Sequence, residues 1–160
     1  MSYPDAINPA TLAARWGVPR VELLGETDST NDVARALGAA GAPAGTVVLA
    51  DAQRAGRGRA GRAWQSPPGL GVWLSLLLRG ASLPEPTLLP LLVGLGAARA
   101  LDGVLGAGRV QIKWPNDLLV GDRKLAGVLA EADLGSAGGP AVVVGIGINV
   151  NWPDTLPEEL

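Results

Sequence analysis

Residues 53–64 read Gln-Arg-Ala-Gly-Arg-Gly-Arg-Ala-Gly-Arg-Ala-Trp, with Arg54, Arg57, Arg59 and Arg62 spaced among glycines. Glycine has no Cβ to keep the backbone away from a ligand, and neighbouring amides can aim their N–H groups at one anion. Guanidinium forks grip carboxylate and phosphate through paired hydrogen bonds. Such a loop can hold an acid beside a nucleotide phosphate, which is what carboxylate activation needs. Taken alone it also reads as a solvated basic turn or a Gly-Arg RNA-binding segment, and an aromatic content of 4% weakens the RNA version.

Four more segments carry polar groups at places where chains turn. Asp28-Ser29-Thr30-Asn31 offers four cap-capable side chains before an apolar pattern at Val33, Ala36 and Leu37. Lys113-Trp114-Pro115-Asn116-Asp117 sets a lysine, an amide and a carboxylate around a proline, which serves a cleft or simply an ordinary capped turn. Arg123-Lys124-Leu125-Ala126-Gly127 opens a strand, and Lys124 there faces either water or a phosphate. Gly145-Ile146-Gly147-Ile148-Asn149-Val150-Asn151 puts glycines inside an apolar strand, as a bulge or a close approach would require.

Composition removes most other chemistry. The 160 residues contain neither cysteine nor histidine. That excludes disulfides, thiolate nucleophiles, Ser-His-Asp hydrolysis and His-ligated zinc, and makes the cytoplasm the expected compartment. Carboxylates, lysine, arginine and backbone amides are left to act. With 13 basic and 15 acidic residues the net charge is −2, so neither nucleic acid nor an anionic membrane is attracted in bulk. The most apolar stretch, residues 88–101, is shorter than a membrane span and broken by Gly94, Gly96 and Arg99.

The elements that must position these groups are legible in outline. A hydrophobic fraction of 48% against 18% charged suits one folded domain spanning residues 1–160, the first nineteen peripheral. Asn8-Pro9 and Gly17 bracket a short helix, Pro9–Trp16. A strand at residues 21–25 leads to a helix ending near Gly41, strands at 46–50 and 72–78 flank the arginine loop, and residues 87–101 form a covering helix. Residues 110–114, 118–120, 124–132 and 141–150 read as strands separated by turn signals at 115–116, 121–122 and 135–139. Few helices among many strands predict an α+β fold with a mixed, largely antiparallel sheet flanked by helices.

Taken in order, Asp28-Ser29-Thr30-Asn31, the GRGRAGRAW loop, IKWPND at residues 112–117, RKLAG at 123–127 with Glu131, and GIGINVN at 145–151 resemble the biotin protein ligase family. The resemblance runs from about residue 21 to 151. It implies a catalytic domain related to class II aminoacyl-tRNA synthetases, with biotin and MgATP (ATP and Mg2+) giving biotinyl-5′-AMP, which a lysine of a biotin carboxyl carrier domain then attacks. The acceptor would belong to acetyl-CoA carboxylase or a related carboxylase. By the same resemblance Ser29, Thr30 and Asn31 would hold the ureido end of biotin, and Gln53, Gly56 and the Arg57-Gly58-Arg59 backbone would line the same pocket. Arg57, Arg59 and Lys124 would meet its carboxylate and the α-phosphate. Arg62 and Trp64 would lie toward the nucleotide, and Asn116 and Asn149 would reach the phosphates or their magnesium. Gly127, Gly145 and Gly147 would line the pocket, and Asp117 would orient or deprotonate the carrier lysine. Too few residues precede the matched region for a helix-turn-helix domain, so a monofunctional enzyme without nucleic-acid binding is expected. The C-terminal β-barrel of the family is expected to be absent, and a homodimer is possible. Two alternatives stay open: a truncated biotin-binding module without turnover, and a lipoate-protein ligase-like enzyme.

Overall fold

The computed structural model describes residues 7–80, 88–133 and 140–152. Asn8 opens α1 (Pro9–Trp16): its side chain accepts from the Ala10 and Thr11 amides, and Gly17, at φ 64°, closes the helix in the left-handed region. Strand β1 (Val21–Thr27) runs parallel to β2 (Val47–Gln53), a pairing that demands a crossover, and α2 (Thr30–Ala39) provides it. Strand β3 (Gly71–Arg79) follows the arginine loop, α3 (Leu89–Leu105) comes next, and β4 (Val110–Lys113), β5 (Asp117–Val120), β6 (Arg123–Asp133) and β7 (Ala141–Asn149) complete the described chain.

These strands form one sheet in the order β1-β2-β3-β7-β6-β5-β4, antiparallel at every pairing except β1 with β2. The mixed, largely antiparallel α+β architecture is thus the one expected. Period-two alternation divides the core between the two faces. Ala34, Val33 and Leu37 of α2 pack on Val48, Leu77 and Val143. The opposite face carries Val142, Val144 and Val128 under Leu89 and Val93 of α3, and Val47 and Leu49 under Leu12 and Ala13 of α1. Helix α2 therefore sits alone on the face that also holds Ser75, Gly127, Glu131, Gly145 and Gly147, leaving part of that face uncovered among the described residues.

Strands β1 and β2 run on past the expected residues 25 and 50 to Thr27 and Gln53, and two further boundaries differ for local reasons. Helix α3 continues past residue 101 to Leu105, because Gly103 is tolerated and the chain turns only at Gly106, at φ 104°. The Asp102 carboxylate then accepts from the Gly108 and Val110 amides, at 3.1 and 2.9 Å, tying the helix end to β4. Strand β4 stops at Lys113, so Trp114 lies in the turn, 79% exposed. The expected helix start at Thr87 and the turn at residues 135–139 fall outside the described residues.

Candidate active site

A cavity of about 380 Å³ opens on the α2 face of the sheet, within the range of small-molecule sites. Its walls come from the start of α2, the arginine loop, the β4–β5 turn and the glycine-bearing stretches of β6 and β7. Of the residues singled out in the sequence, Ser29, Thr30, Asn31, Gln53, Arg57, Gly58, Arg59, Arg62, Trp64, Asn116, Asp117, Lys124, Gly127, Gly145, Gly147 and Asn149 all line it. Gly56 does not. A Cβ there would collide with the Trp64 carbonyl, whose own amide donates to Gly56 O at 2.9 Å, so that glycine closes the loop on itself.

The polar wall is wired before any ligand arrives. Ser29, Thr30 and Asn31 are 3–4% exposed and Ser75 is fully buried. The Thr30 amide and hydroxyl both donate to Gln53 Oε1, at 2.8 and 3.0 Å, which fixes the Gln53 amide so that Nε2 donates to Ser66 Oγ at 2.7 Å. Ser75 Oγ lies 2.5 Å from Asn31 Oδ1 and 2.7 Å from Thr30 Oγ1. Ser29 stands at the N-cap of α2 with no capping bond from its side chain, so its hydroxyl faces the cavity beside the positive end of the helix.

The opposite wall is cationic and flat. Lys124 Nζ pairs with Asp117 Oδ1 at 2.9 Å and sits 4.9 Å from the centroid of the Trp64 ring. The Lys124 carbonyl accepts from Asn149 Nδ2 at 3.0 Å. Asn116 donates to Val128 O at 3.0 Å and receives a long contact from Arg59 Nη1 at 3.4 Å. Trp64 lies against glycines: a Cβ on Gly127 would come within 2.9 Å of the indole, and one on Gly147 would fall inside it. A Cβ on Gly145 would come within 2.5 Å of Asn31 Oδ1. The Gly-x-Gly strand is therefore a close-approach surface and no bulge, since its register with β3 and β6 is unbroken. The irregularity lies instead at Leu118/Leu119, where β5 meets β6. Trp64 Nε1 is buried without a hydrogen-bond partner.

Sequence reasoning missed a charge cluster beneath the cavity. Arg57 grips Asp32 bidentately, at 2.7 Å to each carboxylate oxygen, and reaches Glu131 at 3.2 Å. Arg35 meets Asp32 at 2.8 Å and Glu131 at 3.2 Å. The hydrogen bond from Arg57, with Arg35 helping against partial burial, holds the Asp32 carboxyl below its ordinary value; Arg57 is pushed upward, chiefly by Asp32. Only the Asp32–Arg35 pair, three residues apart on one helix, had a signal in the sequence. Because the Asp32 pKa is lowered on folding, its stabilising contribution is fully present above 3.8 and disappears as pH falls through the depressed value. The melting-temperature gap between wild type and Asp32→Asn is accordingly expected to be constant from pH 5 to 8 and to close in acid; a gap that widens on acidification would contradict the pairing.

Arg57, Arg59, Arg62 and Lys124 are the cations lining the cavity, and Arg57 among them is held by Asp32 and Glu131. Among the described residues no group of three or more carboxylates could hold a metal, and no helix is long and apolar enough to cross a membrane. The cavity thus joins a polar wall to a cationic one on a largely antiparallel sheet. Residues 24–151 match the biotin/lipoate A/B protein ligase family, and the chain belongs to that family.

Its similarity lies on the biotin side. It is 44% identical over 135 residues to the bifunctional ligase/repressor BirA of Bacillus subtilis, covering 82% of this chain and 41% of that protein. It is 42% identical over 134 residues to the biotin--[acetyl-CoA-carboxylase] ligase of Paracoccus denitrificans, covering 80% and 53%. The biotin protein ligase of Aquifex aeolicus, solved in complex with biotin and ATP, superposes with a TM-score of 0.72 at 37% identity, over 87% of this chain and 55% of that one. The chain spans about half the length of the curated relatives it matches.

Proposed function

We propose that the chain activates biotin with MgATP to biotinyl-5′-AMP and passes the biotin to a lysine of a biotin carboxyl carrier domain of acetyl-CoA carboxylase or a related carboxylase, in the cytoplasm. The observation that carries this reading is the meeting, in one cavity, of the prewired polar wall at Ser29, Thr30 and Gln53 with the cationic wall at Arg59, Arg62 and Lys124. Hydroxyl and amide groups suit the ureido ring, and the cations suit the carboxylate and phosphate.

In the first step a biotin carboxylate oxygen attacks the α-phosphorus, a P–O bond forms, and pyrophosphate leaves. The two reactants are both anions, so the cations lower their mutual repulsion and hold them in line. Asn116 and Asn149, which line the cavity, would reach the phosphates or the magnesium that accompanies them, and that ion would supply further charge neutralisation. In the second step the carrier amine attacks the acyl carbon, an amide forms, AMP leaves, and the amine loses its proton. Asp117, on the same wall, is the group to orient that amine or accept its proton. None of these steps needs a histidine base or an enzyme nucleophile. Edge strands β1 and β4 leave room for a homodimer.

The test is release of pyrophosphate by the wild-type chain with MgATP, with biotin or lipoate supplied. Biotin-dependent release is expected, with lipoate inactive. Release with lipoate alone would move the protein to the lipoate branch, and biotin binding without release would make it a binding module.

A further inference from the structure

Three donors converge on a single oxygen of Glu131. Asn31 Nδ2 donates to Glu131 Oε2 at 2.6 Å, and the guanidiniums of Arg57 and Arg35 reach the same oxygen, each at 3.2 Å. The groups come from three separate pieces of chain: Asn31 and Arg35 from the first two turns of α2, Arg57 from the arginine loop, and Glu131 from near the end of β6. Glu131 is the one group in the cluster that touches both Asn31 on the polar wall and Arg57 at the root of the loop.

Each contact constrains a group at the cavity. Asn31 offers its Nδ2 to Glu131 and its Oδ1 to the Ser75 hydroxyl, so its amide has one orientation, pressed against the Gly145 backbone. Arg57, which lines the cavity with Arg59 and Arg62, is held on two sides by Asp32 and Glu131. The cluster balances two guanidiniums with two carboxylates. Removing the charge of Glu131 leaves one guanidinium in excess next to a cavity meant for an anion.

On this basis, and resting on the biotin-activating reading above, we infer that Glu131 is a positioning residue: it sets the Asn31 amide and fixes the Arg57 guanidinium in the cavity wall, and so determines how the acid is seated. It touches no reacting atom. Glu131→Gln keeps the shape and one carbonyl acceptor, removes the charge, and replaces the second carboxylate oxygen by an NH2 donor. Glu131→Asp keeps the charge on a shorter arm. Glu22→Gln, which breaks the exposed Arg20–Glu22 pair, is the control for loss of one carboxylate.

Two readouts separate the possibilities. In limited trypsin digestion without ligand, cleavage after Arg57, Arg59 and Arg62 is expected to quicken about tenfold in Glu131→Gln, to change little in Glu131→Asp, and to be unchanged in Glu22→Gln. In steady-state pyrophosphate release the KM for biotin is expected to rise about tenfold in Glu131→Gln, with kcat and the KM for MgATP within twofold, and Glu131→Asp recovering most of the loss. Unchanged cleavage of the loop would overturn the inference whether or not the wild type turns over. A parallel fall in kcat and rise in both KM values, with early melting, would also overturn it, since that marks a merely structural role. A wild-type chain that releases no pyrophosphate would overturn the functional reading instead, and the digestion would still decide the role of Glu131.

Discussion

Lys124→Ala is expected to lower biotin-dependent pyrophosphate release by about a thousandfold at saturating substrates. Two anions brought to about 4 Å repel by roughly 4 kcal/mol at the effective dielectric of a protein cleft, and each ~1.4 kcal/mol of barrier is about a factor of ten in rate. Lys124 is well placed to cancel that repulsion. Its ammonium is held between Asp117 at 2.9 Å and the Trp64 ring at 4.9 Å, and its backbone is pinned by Asn149. Arg59 and Arg62 remain in the variant, but they are carried by the arginine loop while Lys124 rises from β6, so neither takes its place. The Lys124–Asp117 pair is partly exposed, at 40% and 24%, so melting should shift little when it is lost. A rate within threefold of wild type would remove Lys124 from the chemistry and shift the burden to the loop.

Gly147→Val is expected to cost at least a hundredfold in the same assay while leaving the sheet intact. Gly147 does not need glycine for its backbone angles: it lies within β7, in register with Trp73 and Gly127, and valine is a better strand residue. Space is what forbids it. A Cβ at this position would fall inside the Trp64 indole, so the ring would be driven from the sheet into the cavity, taking with it the surface over which Lys124 rests. Overpacking of this kind costs about 1–3 kcal/mol where neighbours cannot yield. Gly96→Ala is the comparison: it lies in α3 with nothing within 4 Å of the added atom, and alanine there should raise stability by up to ~1 kcal/mol with unchanged turnover. Circular dichroism and pyrophosphate release on both variants would decide the matter. Full activity in Gly147→Val would show that Trp64 can leave the glycine surface at no cost to catalysis.

Much of the fold was readable along the chain because its signals are local. Asn8-Pro9 and Gly17 delimit α1 through caps that act within one turn, and the apolar, valine-rich runs at residues 47–49 and 141–144 mark buried strands. The glycines of the arginine loop and of β7 likewise stand out in sequence as positions where something must come close. A parallel β1–β2 pair in a sheet otherwise antiparallel was not legible, since strand partners are chosen by how α2 covers the sheet and not by the strands themselves.

By itself the sequence determined the chemical vocabulary of the site. With no histidine or cysteine, and with arginine, lysine, amide and hydroxyl groups set at turns, only positioning and charge neutralisation were open to it. Tertiary structure decided which of those groups face a ligand. Arg57 and Arg59 are indistinguishable in the repeat Gly-Arg-Gly-Arg, yet Arg57 is bound to Asp32, 25 residues away, and to Glu131, 74 residues away. Arg59, two residues on, reaches only a long contact with Asn116 at the cavity. The resemblance puts Trp64 toward the nucleotide; it is the absence of Cβ atoms on Gly127 and Gly147, on two different strands, that gives its ring a place to lie. Such choices depend on distances between segments remote in sequence, which are set only when the whole sheet closes and each charge finds the nearest opposite one.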